Sequence, residues 1–360
     1  MKLLLAGGGT AGHVEPALAV ARAWKKKHPH DEILFLGTSS GLENSLVPAA
    51  GFTLAHIPKV AIARSLSPSL LMVPIRLIQA ITVARKILKD VDCAIGFGGY
   101  VSAPLYLAAA ITRTPIVIHE QNARPGWANK LGARLTSFTA ISYPVAGGPL
   151  SKAELTGLPL RDDVLAALEN AKMNGESARA AAKSEVVARY GLNPTQPLIF
   201  IFGGSQGSQA INSVIEKYRE NASGVSILHG VGKNNPLPPS TPSYRALPYI
   251  EDMAQCYLAA DLLIARSGAV TCAEATALSR FSLFIPLPIG NGEQQLNAQS
   301  LVRSGRAQVV SQSDFTPEWL ALNITALLAK SAAESSEVDA SGSAAVDKIV
   351  KIIERAAGVQ

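Results

Sequence analysis

The sequence predicts an α/β protein made of two Rossmann-like parallel-sheet halves, and three observations carry that expectation. A short apolar strand, Lys2 to Ala6, runs into GGGTAGH and then a helix; in the second half, Leu198 to Phe202 runs into GGSQGS and then a helix. The same order of strand, glycine loop and helix therefore opens twice, as in a duplicated fold. At 360 residues the chain has room for two cores, each in a domain of roughly 150 to 200 residues.

Between the halves the pattern breaks at Gly157-Leu158-Pro159-Leu160-Arg161, and an Ala- and Lys-rich helical stretch, 166–189, follows. The expected domains are thus 1–160 and 161–340, with a final helix, 344–360, crossing back to the first domain after a Ser/Ala-rich segment.

Composition narrows the classes. With 48% apolar and 17% charged residues the chain is not disordered. A net charge of +6 without a long Lys/Arg run argues against nucleic-acid binding and suits a phosphate-bearing ligand or an anionic membrane surface. Cys93, Cys256 and Cys272 are far apart with no CxxC, which predicts reduced structural thiols in a cytoplasmic setting and no zinc site. Leu3-Leu4-Leu5-Ala6 is too short for a targeting core, and no apolar run reaches the roughly 18 residues of a membrane span. A soluble or peripheral protein is expected.

Taken in order, Gly7, Gly9 and Gly12 have the GxGxxG spacing, and a helix is expected from Pro16 to Lys27, with Pro16 in its first turn and Lys25, Lys26 and Lys27 in its last. A nicotinamide enzyme would carry an acidic residue where the next strand ends, yet Ile33 to Leu36 ends in Gly37-Thr38-Ser39. The glycines therefore predict a turn that accommodates a phosphate or diphosphate. His13, where the loop becomes helix, is a candidate catalytic group or simply a hydrogen-bonding residue at a helix start.

Pro74 opens a further helix, along which Leu77, Ile81, Ala84 and Leu88 form a core stripe. Ile75 and Ile78, continued by Arg85, Lys86 and Lys89, lie well round from it, and Leu66, Leu70, Leu71 and Met72 crowd the loop before. These residues form a membrane-surface patch or pack beneath another loop. The strand Cys93 to Phe97 runs into Gly98-Gly99-Tyr100, and Pro115 to His119 runs into Glu120-Gln121-Asn122-Ala123-Arg124-Pro125-Gly126. With no third ligand at metal spacing, His119 and Glu120 read as hydrogen-bonding groups.

GGSQGS contains GxSxG, the pattern of a hydrolase nucleophile elbow. Only Glu216 and Glu220 lie between Ser205 and His229, the single histidine beyond it, a spacing too short for a triad. Ser205 and its glycines read instead as diphosphate donors. Tyr249 to Met253 leads into a short helix, where Ile250 could flank a flat base or lie in the core.

The richest stretch runs from Ala265 to Gln299. The strand Leu262 to Ala265 ends in Arg266-Ser267-Gly268, and a helix of small residues carries Glu274 about two turns in. Gly268 lets the backbone approach a phosphate, the helix start offers N–H groups, and a carboxylate there can accept both hydroxyls of a ribose. After the strand Phe281 to Pro286, a loop ends in Gln294-Gln295-Leu296-Asn297, whose amides suit sugar hydroxyls. An ordinary βαβ unit with a polar loop fits this stretch equally.

GGGTAGH, GFGGYVSAP, HEQN, GGSQGS, RSGAVTCAEA and EQQLNA, in this order and spacing, resemble the MurG family of peripheral N-acetylglucosaminyltransferases over essentially the whole chain. The resemblance implies a GT-B fold, two Rossmann-like domains facing across a cleft, with acceptor and membrane on the N-terminal domain and UDP-N-acetylglucosamine mostly on the C-terminal one. It implies an inverting transfer of N-acetylglucosamine to the 4-hydroxyl of undecaprenyl-pyrophosphoryl-N-acetylmuramoyl-pentapeptide (lipid I), giving lipid II in peptidoglycan synthesis.

Carried over residue by residue, the donor would meet Thr10, Ala11, Gly12, Asn122, Arg161, Ser205, Ile250, Ala269, Val270, Thr271, Cys272, Ala273, Glu274 and Gln294 or Gln295. Glu274 would hold the ribose, and Ile250 would lie by the uracil. The acceptor diphosphate would meet Gly7, Gly8, Gly9, Gly98, Gly99 and Tyr100; the membrane would meet Leu70, Leu71, Ile75, Ile78, Arg85, Lys86 and Lys89. His13, expected to titrate near neutrality, is the candidate base. The loop departs from patterns in which GGTGGH precedes an aromatic, and Glu15 is a second candidate carboxylate there.

No cofactor or bound metal is implied, a divalent cation being at most stimulatory. The implied setting is peripheral, on the cytoplasmic face of the anionic inner leaflet, among cell-wall synthesis and division proteins, with no nucleic acid. Two rival readings are a sugar-nucleotide-binding protein without turnover and a GT-B enzyme with a different lipid or natural-product acceptor.

Overall fold

The computed structural model describes residues 1–60, 72–278, 280–333, 338 and 342–359. It divides into two compact units, Met1–Arg161 with Gly342–Gln360, and Asp162–Ser341.

The first unit holds a parallel sheet of β1 (Lys2–Ala6), β2 (Glu32–Gly37), β3 (Thr53–His56), β4 (Cys93–Gly96), β5 (Ile116–Glu120), β6 (Thr139–Ile141) and β7 (Glu154–Leu155), in the order β3-β2-β1-β4-β5-β6-β7. The order reverses between β1 and β4, and the loops leaving those two strands are the glycine-rich ones, where α/β sheets bind ligands. Its helices are α1 (Ala11–Lys27), α2 (Glu43–Ala49), α3 (Val73–Ile87), α4 (Ser102–Thr112) and α5 (Trp127–Gly132). Both faces of the sheet are covered, which is why Leu3 to Ala6 of β1, Cys93 to Gly96 of β4 and Ile116 to Ile118 of β5 read as apolar runs. One face packs Trp24 of α1 with Val346, Ile349 and Ile353 of the C-terminal helix (Ala345–Ala357). The other packs Ala80 and Ala84 of α3 with Leu105 and Tyr106 of α4.

The second unit repeats the plan. Its sheet of β8 (Leu198–Phe202), β9 (Ser226–Gly230), β10 (Tyr244–Leu247), β11 (Leu262–Ala265), β12 (Ser282–Phe284) and β13 (Ala307–Val309) is parallel, in the order β10-β9-β8-β11-β12-β13. Here the switch falls between β8 and β11, so GGSQGS and Arg266-Ser267-Gly268 leave adjacent strands. The helices are α6 (Asp162–Tyr190, kinked at Gly175), α7 (Gln209–Tyr218), α8 (Met253–Ala259), α9 (Ala269–Ala277), α10 (Glu293–Asn297), α11 (Gln299–Arg303) and α12 (Pro317–Ala333); the C-terminal helix is α13.

Two expectations are corrected. The first helix starts at Ala11, with Thr10 as its cap residue, so Pro16 lies inside it and Ala11, Gly12 and His13 form its first turn. Pro16 forfeits one backbone bond, to Gly12, but Val14 and the run Pro16 to Ala21 are buried on the sheet, and packing outweighs that loss. The segment expected as a loop around Gln294 is partly helical, as α10, because Glu293 takes the Asn291 amide at 3.2 Å and closes the turn just before it. No helix among the described residues is long and apolar enough to cross a membrane.

Candidate active site

In the first unit the glycine loop is built around a carboxylate that no motif announces. Glu43, fully buried in α2, accepts the amides of Gly9 (3.0 Å) and Thr38 (3.1 Å) and the hydroxyl of Tyr100 (3.2 Å). Tyr100 OH also reaches Thr38 Oγ1 at 3.1 Å, so the ends of β2 and β4 and the loop after β1 form one network. The two glycine loops touch: a Cβ on Gly99 would stand 2.6 Å from the Gly8 carbonyl, and one on Gly9 2.7 Å from the Tyr100 ring. Gly7 and Gly8 are buried against His13 and Val101, so they serve chain packing, while Gly9 and Gly99 are partly exposed. Both have φ in the left-handed region, 94° and 81°.

His13 sits beside Gly98, and its Nδ1 lies 3.0 Å from Thr10 Oγ1. If Nδ1–H donates to Thr10, Nε2 carries the lone pair and can accept a proton. Burial pushes its pKa down to about 4 despite the nearby Glu43 carboxylate, below the near-neutral value expected from sequence. At neutral pH the ring is therefore uncharged, the state a base needs. Glu15 is half-buried one turn into the same helix.

His119 and Glu120 end β5 buried, and they pin loops. His119 Nε2 bonds the Gly157 carbonyl at 3.0 Å; Glu120 accepts the amides of Asn122 (2.9 Å) and Gly126 (3.0 Å) and Asn129 Nδ2 (3.0 Å). Asn122 is thereby fixed with its side chain half-buried, and Arg161 is half-buried at the end of the unit. On α3, Ile75 and Ile78 are 47% and 64% exposed, with Arg85 and Lys86, and Lys89 in the single 3-10 turn that follows, exposed on the same side. Leu70 and Leu71 lie outside the described residues.

The second unit contains a cavity of about 350 Å³ at the β8/β11 switch, lined by Gly203, Gly207, Ser208, Arg266, Gln294 and Gln312 among others. The loop after β9 presses on GGSQGS, where Asn235 Nδ2 donates to the Gln206 carbonyl at 3.0 Å. Ser208 caps α7 by accepting the Ile211 amide at 3.4 Å, which leaves that helix's first N–H groups at the cavity. Ser205 is half-buried in the loop.

Ile250 is buried against Gly230 at the end of β9. Glu274 is buried on α9, whose first residues, Ala269 to Ala273, leave Val270, Thr271 and Ala273 half-buried and Ala269 and Cys272 buried. Gln294 Oε1 accepts the Leu287 amide at 2.9 Å, which holds its side chain at the cavity wall, and Gln295 beside it is exposed. The three cysteines are buried and unpaired, and burial raises the pKa of each thiol. Among the described residues no three His, Cys, Asp or Glu side chains gather as metal ligands would.

Residues 3–140 match the glycosyltransferase family 28 N-terminal domain, and 198–354 match its C-terminal domain. The chain belongs to glycosyltransferase family 28. Among family members it is 44% identical, over 91% of this chain and 90% of the other, to a Streptomyces avermitilis protein named UDP-N-acetylglucosamine–N-acetylmuramyl-(pentapeptide) pyrophosphoryl-undecaprenol N-acetylglucosamine transferase. A Corynebacterium glutamicum protein of the same name is 44% identical over 89% of this chain and 87% of its own. The crystal structure of Acinetobacter baumannii MurG superposes with a TM-score of 0.71 at 27% identity, covering 98% of this chain and 99% of that one. The two parallel-sheet units are thus those of a GT-B glycosyltransferase. Glu43 and Gln312 lie outside every motif, and Arg266 and Ser208 sit inside motifs without a role assigned from sequence, because the contacts Glu43–Gly9, Arg266–Ser208 and Arg266–Gln312 join residues distant in the chain.

Proposed function

We propose that this chain transfers N-acetylglucosamine from UDP-N-acetylglucosamine to the 4-hydroxyl of the muramoyl sugar of a pyrophosphoryl-undecaprenol-linked pentapeptide. The observation that carries this reading is the 44% identity, over 91% of the chain, to a protein named for that transfer. The acceptor oxygen forms the new bond to the anomeric carbon with inversion, the bond from that carbon to the diphosphate oxygen breaks, and the pair leaves with UDP. His13 Nε2 takes the hydroxyl proton, with Thr10 holding the tautomer and Glu15 as the alternative base. Charge on the leaving diphosphate is met by N–H groups at the starts of α7 and α9, so no resident metal is part of this reading. Ser205, Glu274, Gln294 and Gln295 bind the donor, while Gly9, Gly98, Gly99 and Tyr100 receive the acceptor diphosphate.

The membrane contact belongs to the layer of α3, α4 and α5. Every large apolar side chain that the described part of the first unit exposes, Leu155 excepted, lies on or beside these helices: Met72, Ile75, Ile78, Ile111, Trp127 and Leu135. Lysines and arginines on α3 add attraction to anionic lipid on the cytoplasmic face. Wall-synthesis and division proteins are the partners this setting would bring.

The test is UDP release from UDP-N-acetylglucosamine with the lipid-linked acceptor. Wild type should release UDP only when acceptor is present, Glu274→Ala should lose donor affinity, and His13→Ala should lose turnover. A folded wild type that binds donor yet shows no acceptor-dependent release would overturn the assignment.

A further inference from the structure

Lys59 follows β3, the edge strand of the first unit's sheet, and stands between Ile57 and Val60, both buried in the layer shared with α3 and α4. Its side chain is exposed, yet the ammonium is held in one place. Nζ donates to Ser40 Oγ at 3.3 Å and lies 5.4 Å from the centre of the Tyr100 ring, within cation–π range. Both partners are themselves fixed: the Ser40 carbonyl lies 3.1 Å from Tyr100 OH and from Thr38 Oγ1, and the Tyr100 ring touches Gly9. The same loop is braced from β3, where His56 meets Asn44 Oδ1 at 2.8 Å while Asn44 Nδ2 donates to the Thr38 carbonyl at 2.7 Å. A hydroxyl and a ring orient this charge without neutralising it. The sequence that follows, 61–71, adds Arg64 and contains no Asp or Glu.

We propose that Lys59 determines acceptor specificity by receiving a carboxylate of the acceptor's peptide. The inference rests on the reading of Gly9, Gly98, Gly99 and Tyr100 as the acceptor's diphosphate cradle, and it names a second anionic contact beyond that cradle. Strand order places it there: β3 is two strands from β1, roughly 10 Å at the spacing of a sheet, so the cation stands outward of the glycine loops after β1 and β4. A peptide joined by its amino end to the muramoyl group keeps a free carboxylate at its other end, and five extended residues reach about 17 Å. An ammonium on a flexible stem suits such a mobile carboxylate, because a compact point charge needs no fixed fork geometry.

Steady-state UDP release without vesicles tests this, using two water-soluble muramoyl-pentapeptide diphosphates on a short prenyl chain, one with its peptide carboxylates free and one with all of them converted to carboxamides. Wild type should show an acceptor KM about four-fold lower for the carboxylate form, the size of an exposed ion pair, and added salt should shrink that ratio. Lys59→Met should bring the ratio to about one, Lys59→Arg should restore most of it, and Lys59→Glu should invert it, each change falling on acceptor KM and not on kcat. A merely structural role would raise KM for both acceptors alike. A ratio in Lys59→Met equal to that of wild type overturns the inference, and so does an equal loss with both acceptors, which would give the cation to a phosphate instead. Wild type without acceptor-dependent release overturns the transfer reading itself, a different failure.

Discussion

The carboxylate of Glu43 accepts the backbone amide of Gly9 at 3.0 Å across 34 residues of sequence. A turn whose glycine adopts φ 94° is thereby held by a buried side chain from the neighbouring strand's connection.

Replacing Glu43 by alanine leaves the Gly9 and Thr38 amides without their acceptor. A loss of about 1–3 kcal/mol of stability is expected. Urea unfolding should show it, and steady-state kinetics should show a raised KM for the acceptor with the KM for the donor nearly unchanged. Glu43→Gln, which retains one acceptor oxygen, should recover part of both.

His13 with a pKa of about 4 is neutral and competent as a base across the physiological range. The acid limb of kcat/KM should therefore lie near pH 4 and the profile should be flat from about 5.5 to 7.5. A limb near 6.5 would instead indicate an ordinary, solvated histidine. Thr10→Val, by removing the Nδ1 partner, should lower kcat about ten-fold with little change in donor affinity.

His119 and His229 are buried and their pKa values are likewise held down to about 4 by burial. The unfolded chain binds protons at these rings from about pH 6.5 downward while the folded chain does not, so stability falls as pH drops from 6.5 to 4 and levels off below. Denaturation midpoints measured at pH 7.0 and 4.5 should differ by the equivalent of a few kcal/mol. His229→Gln, which keeps polar contact with Tyr244 and Asn212, should flatten that slope.

Ile75→Glu with Ile78→Glu should weaken sedimentation with anionic vesicles by at least about ten-fold while leaving turnover of a water-soluble acceptor analogue unchanged. Trp127→Ser should act in the same direction. Unaltered vesicle binding in both variants would move the membrane contact away from this layer.

Strands, glycine loops and the repeated plan were legible in the sequence because each is a local pattern: an apolar run, then residues that tolerate left-handed backbone. Gly9, Gly98 and Gly99 fall in this class, each with φ in the left-handed region. Glu43 and Arg266 were not legible as site builders. Their partners lie 34 and 58 residues away, and no periodicity carries that information. Pro16 misled for the opposite reason: its local preference for a first turn was overridden by burial on the sheet. The pKa of His13 also depends on surroundings that only folding assembles.

The C-terminal helix, Ala345–Ala357, completes the core of the first unit with Val346, Ile349, Ile352 and Ile353. The second unit is in effect an insertion into the first. As the chain leaves the ribosome, the segment made first must wait for the last helix, whereas the intervening unit can close its own core earlier, reversing the usual N-to-C order of domain folding. A polypeptide released before residue 345 would carry a finished second unit and an open apolar face on the first, a natural signal for quality control to act on.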